Sequence, residues 1–241
     1  MIDFLVQTLL ALNKILFNNL GLTIIVLGIL TRVAVWPLFR SQIKHTKAMA
    51  GLKPQLDEIK RKYKGDQRRQ LEEQQKLFKS QGVNPVGGCL PMIVQFVVLI
   101  LLYRVLLRLL RMDVNTQFFS WDLAKPDVFH VPQLPFALPG ALVIFTALAT
   151  FIQSKMIMPP APSPVPSGKK GEQPDFSEAL QASSNQMAYF TPLIMLYIGT
   201  VIASGLALYW LVSTVFGIIQ QYQIGGLGGL RPWLKKLSPT K

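Results

Sequence analysis

Arg32 stands inside an apolar run, Leu20 to Phe39, that is long enough to cross a bilayer as one helix. A guanidinium at the centre of such a helix costs roughly 2.5 to 3.5 kcal/mol on insertion scales, so residues of this kind face a water-filled cavity or a partner. Arginine cannot shed its proton to escape that cost. No Asp or Glu falls inside any other apolar run of the chain, so the sequence offers Arg32 no counter-charge within the membrane. An unpaired cation at that depth suits a transient anionic guest. The bland alternative is a snorkelling or packing arginine, but Arg32 precedes the first interfacial cation, Arg40, by eight residues, too far for easy snorkelling. Gln95 is the next polar residue within an apolar run, and Thr31, Ser213 and Thr214 add hydroxyls. Each alone fits an ordinary interhelical hydrogen bond. With Arg32 they could line one wet face.

The elements that must position these groups follow from composition. Half of the 241 residues are hydrophobic, mean hydropathy is +0.34, and several runs approach 20 residues. That is an all-α, polytopic membrane protein with one membrane domain. The net charge of +13 raises nucleic acid as a partner, but twelve of the 25 Lys and Arg lie between Arg40 and Lys79. With Arg231, Lys235, Lys236 and Lys241 at the C-terminal end, this load matches loops held in the cytoplasm by the positive-inside rule. The lone Cys89 excludes an internal disulfide framework and a multi-Cys metal site. His45 and His130, far apart, leave little for any other metal site, and no cofactor is expected. The first residues carry neither a basic n-region nor a small-residue cleavage pattern, so no removable signal or transit peptide is expected.

Residues 1–19 read as an N-terminal interfacial helix, apolar but punctuated by Asp3, Gln7, Asn13 and Lys14. The first transmembrane helix is expected over 20–39, with Pro37 near its exit. Residues 40–84 read as a cytoplasmic basic helical hairpin: Leu52, Leu56, Ile59 and Tyr63 recur at helical spacing, Pro54 breaks the first arm, and 64–66 form the turn. A second span, 85–107, leads to an extracytoplasmic loop, 108–135. In that loop Phe118 to Leu123 form an aromatic stretch suited to the membrane interface or to packing on the helix ends. Arg104, Arg108 and Arg111 fall on this outer side against the charge rule, outweighed by the larger hairpin cluster. A third span, 136–157, precedes a cytoplasmic flexible loop, 158–186, rich in Pro, Ser, Gly and Lys. Met187 to Ile219 would make a helix about 50 Å long, too long for a core of about 30 Å. Ser204-Gly205 supplies a break between spans at 187–203 and 206–224, followed by a basic cytoplasmic tail, 225–241. Five spans place the N-terminus outside and the C-terminus in the cytoplasm.

One order of features is distinctive. An arginine in the first span and a basic hairpin precede Asn84-Pro85-Val86-Gly87-Gly88-Cys89-Leu90-Pro91, which leads into a span with Gln95. Ser204-Gly205-Leu206-Ala207-Leu208-Tyr209-Trp210 then runs on to Ile218-Ile219-Gln220-Gln221. Along nearly its whole length the chain resembles the YidC/Oxa/Alb membrane protein insertase family, in its bacterial form without the large extracytoplasmic domain. The Asn-Pro-x-Gly-Gly-Cys-x-Pro block is the most specific part of the likeness.

The resemblance implies a five-helix core around a hydrophilic groove, open to cytoplasm and lipid and closed outside. It implies that Arg32 is the groove arginine, that Gln95 is the glutamine of the second span, and that Tyr209 and Trp210 face the guest helix. Val97 stands where the family's Gln-x-Pro has proline, which bears on the local bend. No groove residue of the third span carries over, and Gln153 and Thr146 are candidates there. The expected substrate-binding groove is therefore Arg32, Gln95, Tyr209, Trp210, Ser213 and Thr31. The implied function is a membrane insertase and chaperone of the bacterial inner membrane, with a monomeric core. Its implied partners are nascent membrane protein substrates, the Sec translocon, the ribosome and targeting machinery, and anionic lipids. No nucleophile or nucleotide is called for, and Gly225-Gly226-Leu227-Gly228-Gly229 lacks the Lys-Ser/Thr of a phosphate-binding loop. The rivals from other classes are a small anion channel or transporter, for which no internal repeat is seen, and a structural assembly scaffold.

Overall fold

A computed structural model describes residues 2–83, 90–109, 112, 114–133, 135, 137–157 and 176–231. Helix α1 (Ile2–Ile15) ends where Phe17 and Asn18 take left-handed backbone angles, φ 59° and 56°. Asn19 then caps α2 (Leu20–Ala34) by accepting from the Leu22 amide at 3.0 Å. Between the two helices the chain turns by 117°. Asn13, buried in α1, accepts from the Thr23 hydroxyl of α2 at 3.0 Å and fixes that turn from inside.

The helix expected over 20–39 divides at Val35, and α3 (Trp36–Gly51) begins with Pro37 in its first turn. A proline has no N–H to give the carbonyl four residues back and its ring clashes with that carbonyl, so α2 cannot run through. Pro54 acts alike. Helix α3 stops at Gly51, and α4 (Lys53–Lys62) starts with Pro54 in its first turn. Asp66 caps α5 (Gln67–Ser80), accepting from the Arg69 amide at 3.0 Å. The inner face of α5 is Gln70, Gln74 and Phe78, and the Gln70 amide donates to the Tyr63 carbonyl at 2.7 Å.

Helix α6 (Leu90–Leu109) packs its C-terminal half on α1, where Leu102, Val105 and Leu106 join Val6 and Leu9. Asp3 and Arg108 form an ion pair across the same boundary. The motif residues Asn84 to Cys89, and Arg111, lie outside the described residues. The loop that follows holds two antiparallel ribbons, β1 (Gln117–Phe118) with β2 (Trp121–Asp122), and β3 (Val128–Phe129) with β4 (Leu138–Pro139). Helices α7 (Ala141–Ile157), α8 (Phe176–Gly199) and α9 (Ser204–Gly225) complete the fold. Helix α9 lies between α2 and α7, and α8 packs on α7. The architecture is helical, as the hydropathy pattern requires. The β pairings among the described residues are these two short ribbons.

Two expected boundaries move. The flexible loop expected over 158–186 is helix from Phe176 onward, because Glu178, Ala179, Leu180, Gln181 and Ala182 are strong helix formers. The part of that loop over 158–175 lies outside the described residues. Ser204 and Gly205 are not the break between the last two helices. The chain turns over Thr200 to Ala203, and Ser204-Gly205 opens α9, fully buried. Their amides donate to the Lys125 and Leu123 carbonyls at 2.8 and 3.1 Å, and the Ser204 hydroxyl donates to the Asp122 carbonyl at 2.9 Å. Loop contacts thus hold the start of the helix where a bare turn was expected.

Among the described residues no single helix is long and apolar enough to cross a membrane. Helices α1 and α2 together reach the length and composition, but only with the 117° bend between them. Large apolar side chains, Phe96, Ile100, Phe145, Leu148, Leu193 and Tyr197, are exposed on α6, α7 and α8. Apolar exposure on that scale needs a non-aqueous neighbour.

The loop seals the end of the bundle where α2 and α9 begin. Leu123 is fully buried there, and the Phe118 ring lies on Gly21 of α2. Asp122 organises the loop by accepting from the Thr116 hydroxyl at 2.7 Å and pairing with Lys125 at 3.0 Å. The Thr116 hydroxyl first, and then Lys125, hold the Asp122 carboxyl below the usual carboxylate range. A Cβ on Gly21 would stand 2.1 Å from a Phe118 ring carbon. Gly21→Ala should therefore lower stability by about 1 to 3 kcal/mol, the usual penalty for overpacking, read as thermal unfolding in detergent. Adding Phe118→Leu should recover part of the loss, and no recovery would put the strain elsewhere.

Candidate functional site

Three helices meet around Arg32. Helix α9 brings Tyr209, Ser213, Gly217 and Gln220, spaced four, four and three residues apart and so on one face. That face lies against the last turns of α2. The Arg32 Nε donates to the Ser213 hydroxyl at 2.7 Å. The Tyr209 hydroxyl lies 3.4 Å from the Thr31 hydroxyl, which itself donates to the Gly28 carbonyl at 3.0 Å. The Gln220 amide donates to the Arg32 carbonyl at 3.4 Å.

The break at Val35 places Phe39 of α3 against the charge: the guanidinium carbon is 4.4 Å from the centre of the Phe39 ring. Gly217 is the point of closest approach. A Cβ there would lie 2.2 Å from the Gln153 amide nitrogen of α7 and 3.0 Å from the Arg32 Nη1. Only a residue without a side chain lets the arginine and the glutamine converge on α9.

Arg32 is 5 % exposed and Gln220 1 %. The Arg32 Nη1 and the Gln220 Oε1 have no hydrogen-bond partner among the described residues, and Arg32 forms no ion pair there. The first is a strong donor and the second an acceptor, so the junction retains unused capacity for both. Beside it is a cavity of about 20 Å³, lined by Phe39, Gln42, Gln153, Gly217, Gln220 and Gln221, with room for a single water. Its polar lining is neutral, four glutamine amides and the Thr46 hydroxyl, and Arg32 is the charge at the junction.

Of the six residues expected from the sequence, Arg32, Thr31, Tyr209 and Ser213 come together. Gln95 is half-buried on α6 and makes no hydrogen bond to this group among the described residues. Trp210 is also half-buried; one position after Tyr209, it points about 100° away from the Arg32 face. Of the third-span candidates, Gln153 reaches the junction. Thr146 instead donates to the Leu142 carbonyl at 2.7 Å and to the Ala207 carbonyl at 3.3 Å, a tie between α7 and α9. Thr214 is buried. Phe39, Gly217 and Gln220 were not expected as site residues. Two signals were present: Gly217 and Gln220 continue the spacing of Tyr209 and Ser213, and Phe39 follows Arg32 by seven residues, two helical turns.

The arrangement can hold a cation in place and offer it to an acceptor. Among the described residues no group of His, Cys, Asp and Glu could hold a metal ion. Ser213→Ala removes the described partner of the Arg32 Nε. Stability should fall by about 1.5 to 3 kcal/mol, the range for a hydrogen bond to a charged group, measured by thermal unfolding in detergent. An unchanged melting temperature would mean that Nε finds another acceptor.

Residues 11–226 match the family model described as 60Kd inner membrane protein. The chain is 32 % identical over 213 residues to "Membrane protein insertase YidC 2" of Bacillus anthracis, covering 87 % of this chain and 73 % of that one. It is 33 % identical over 218 residues to "Membrane protein insertase YidC" of Rickettsia prowazekii (strain Madrid E), with coverage of 86 % and 35 %. Against the protein of that name from Syntrophus aciditrophicus (strain SB) it is 32 % identical over 228 residues, with coverage of 92 % and 36 %. The chain thus spans about a third of the length of the latter two relatives. With nine-tenths of its residues inside the family model, the chain belongs to the 60Kd inner membrane protein family, whose members among its relatives are named YidC.

Proposed function

We propose that the protein is a membrane protein insertase and chaperone of the bacterial inner membrane, working through a polar groove built on Arg32. The observation that carries this reading is the buried Arg32 guanidinium, held by Ser213 and Phe39 and left with an unpaired Nη1. The proposed groove residues are Arg32, Thr31, Tyr209 and Ser213, with Gln95 and Trp210 along its flanks. The proposed topology is five spans, N-terminus outside, with hairpin and tail in the cytoplasm. The described helices α2 and α7, of 15 and 17 residues, are about 22 and 25 Å long at 1.5 Å per residue. Both fall short of a core of about 30 Å, which favours a locally thinned bilayer around them.

In this reading the polar tail of a nascent membrane protein enters the groove from the cytoplasm, and Arg32 attracts its acidic residues. Polar walls within the membrane spare the tail part of the apolar crossing. As the guest's apolar helix slides into lipid, burial supplies the drive, at roughly 25 cal/mol per Å² of apolar surface. The membrane potential adds about 2.3 kcal/mol per charge per 100 mV for an acidic tail moving outward. No bond is made or broken. The sealed loop end, with Leu123 fully buried, opposes the reading as a through-channel. The hairpin and tail are the proposed contacts for anionic lipid, the ribosome and the targeting machinery, and the Sec translocon is the proposed companion for larger guests.

The test is insertion of a single-span protein with an acidic N-terminal tail into proteoliposomes that contain only this protein. Arg32→Ala should slow insertion roughly tenfold, the equivalent of about 1.4 kcal/mol, with Arg32→Lys in between. Insertion at the wild-type rate in Arg32→Ala would remove the arginine from the mechanism, and none with either protein would revive the scaffold. For topology, a cysteine at Val201, which is 67 % exposed, is a better probe than one at the buried Ser204. In a Cys89→Ser background, Val201→Cys should react with an impermeant thiol reagent from outside the cell. Reaction only after the cytoplasmic side is opened would invert the orientation.

A further inference from the structure

We infer that Phe39 is a positioning residue for Arg32: its ring holds the guanidinium at the junction of α2 and α9, from where the charge attracts an acidic guest. The inference rests on the insertase reading above and adds a determinant of its preference for acidic guests. A guanidinium held at one edge alone can swing about that bond. Here Ser213 takes Nε at 2.7 Å and the Phe39 ring stands 4.4 Å from the central carbon. An edge contact and a ring contact together restrict that swing and hold the charge beside Gly217, where Nη1 is buried without a hydrogen-bond partner among the described residues.

Arginine stacks on aromatic faces more readily than lysine does, and the attraction rises when the pair is desolvated. Arg32 is 5 % exposed, so this pair lies towards the strong end of that range. Ring and guest do not compete. The ring carries no net charge, so it holds the guanidinium and leaves the field that acts on an acidic guest in place.

The position of Phe39 follows from the chain break. With Pro37 in the first turn of α3, the Phe39 amide donates to the Val35 carbonyl at 3.1 Å, and the ring is half-buried at the cavity shared with Gln153, Gly217 and Gln220. A residue wanted there only for packing could as well be leucine. An aromatic ring adds a face that a cation prefers.

Fluorinated phenylalanines at position 39 test this, because each fluorine draws charge from the ring face while nearly keeping its shape. Insertion into proteoliposomes would be measured for two guests that differ only in an acidic tail against its Asn and Gln counterpart. The advantage of the acidic guest should fall with each fluorine, by roughly tenfold at three, the equivalent of about 1.4 kcal/mol. Neutral-guest insertion should fall less than acidic-guest insertion at every step of the series. Phe39→Leu should lose the advantage and Phe39→Trp should keep it. An advantage that stays flat or rises along the series overturns the inference, as does a parallel fall in neutral-guest insertion and melting temperature, which would make Phe39 a packing residue only. If the wild type shows no acidic advantage, or Arg32→Ala retains it, the charged-groove reading fails and this inference with it. If Arg32→Ala abolishes the advantage while the fluorine series leaves it unmoved, only the role of Phe39 falls.

Discussion

A buried guanidinium without a counter-ion among the described residues is the constraint around which the junction of α2, α7 and α9 is arranged. An isolated charge taken out of water is among the most expensive groups a fold can hold, and arginine has no neutral form to retreat to. The chain answers with partial measures: a hydroxyl on Nε, an aromatic ring against the group, and amides from Gln153 and Gln220 close by. All of these are neutral. A carboxylate in their place would stabilise the cation more and cancel its field. Neutral dipoles lower the cost of burial and leave the charge available. The same arrangement fixes how α9 turns against α2, since a rotation by one residue, about 100°, would carry Ser213 and Gly217 off the arginine together.

The two ends of the bundle are built differently. Where α2 and α9 begin, backbone bonds from Ser204 and Gly205 into the loop, the Phe118 ring on Gly21 and the buried Leu123 pack the described residues closely. Where α9 ends, the packing turns polar: Gln42, Gln153, Gln220 and Gln221 surround a cavity. There the Lys47 ammonium donates to the Ile224 carbonyl at 2.8 Å, joining α3 to the last turn of α9. A carbonyl at a helix C-terminus lacks its own backbone partner and attracts a cation. The Arg32 site thus lies between a sealed end and an amide-lined one.

The sequence was most legible where a residue broke its local pattern. Arg32 in an apolar run, Pro54 in a helical arm and the Lys-Gly-Asp turn each carried a physical signal within a few residues. The likeness to the insertase family added Tyr209, which sits beside Thr31. Legibility failed where the deciding contact was distant. Ser204 looked like a break because the carbonyl that receives its hydroxyl belongs to Asp122, 82 residues away. Phe39 looked like the end of an apolar helix: Pro37 is a local cause of the division at Val35, but the approach of Phe39 to Arg32 exists only once α3 has packed on α9. The helix over 176–186 was hidden by the Pro- and Gly-rich composition just before it. Gln95 rested on its polarity within an apolar run and on the family likeness, Trp210 on the likeness, and no local periodicity ties either to the arginine.

The placement of α6 accounts for the position of Gln95 and for one anomaly of charge. Its core residues, Leu102, Val105, Leu106 and Leu109, all lie in its C-terminal half, held by α1 and the loop end. Phe96, Val97 and Ile100, a turn or two earlier, are exposed. Helix α6 is therefore packed most closely at the sealed end, while its other half, which also touches α3, keeps Val98 and Leu99 on the core and leaves Gln95 half-buried and unbonded to the junction among the described residues. Asp3, on α1, pairs with Arg108 at the packed end. That neutralises one of the cations that stood on the wrong side of the charge rule, using the only acidic residue in the first 56. Helix α1 is in this sense the strap on which α6 hangs. Leu30 and Val33, in the same turn of α2 as Arg32, are exposed, so the buried cation has an apolar border, which in the proposed reading is where a guest helix would leave for lipid.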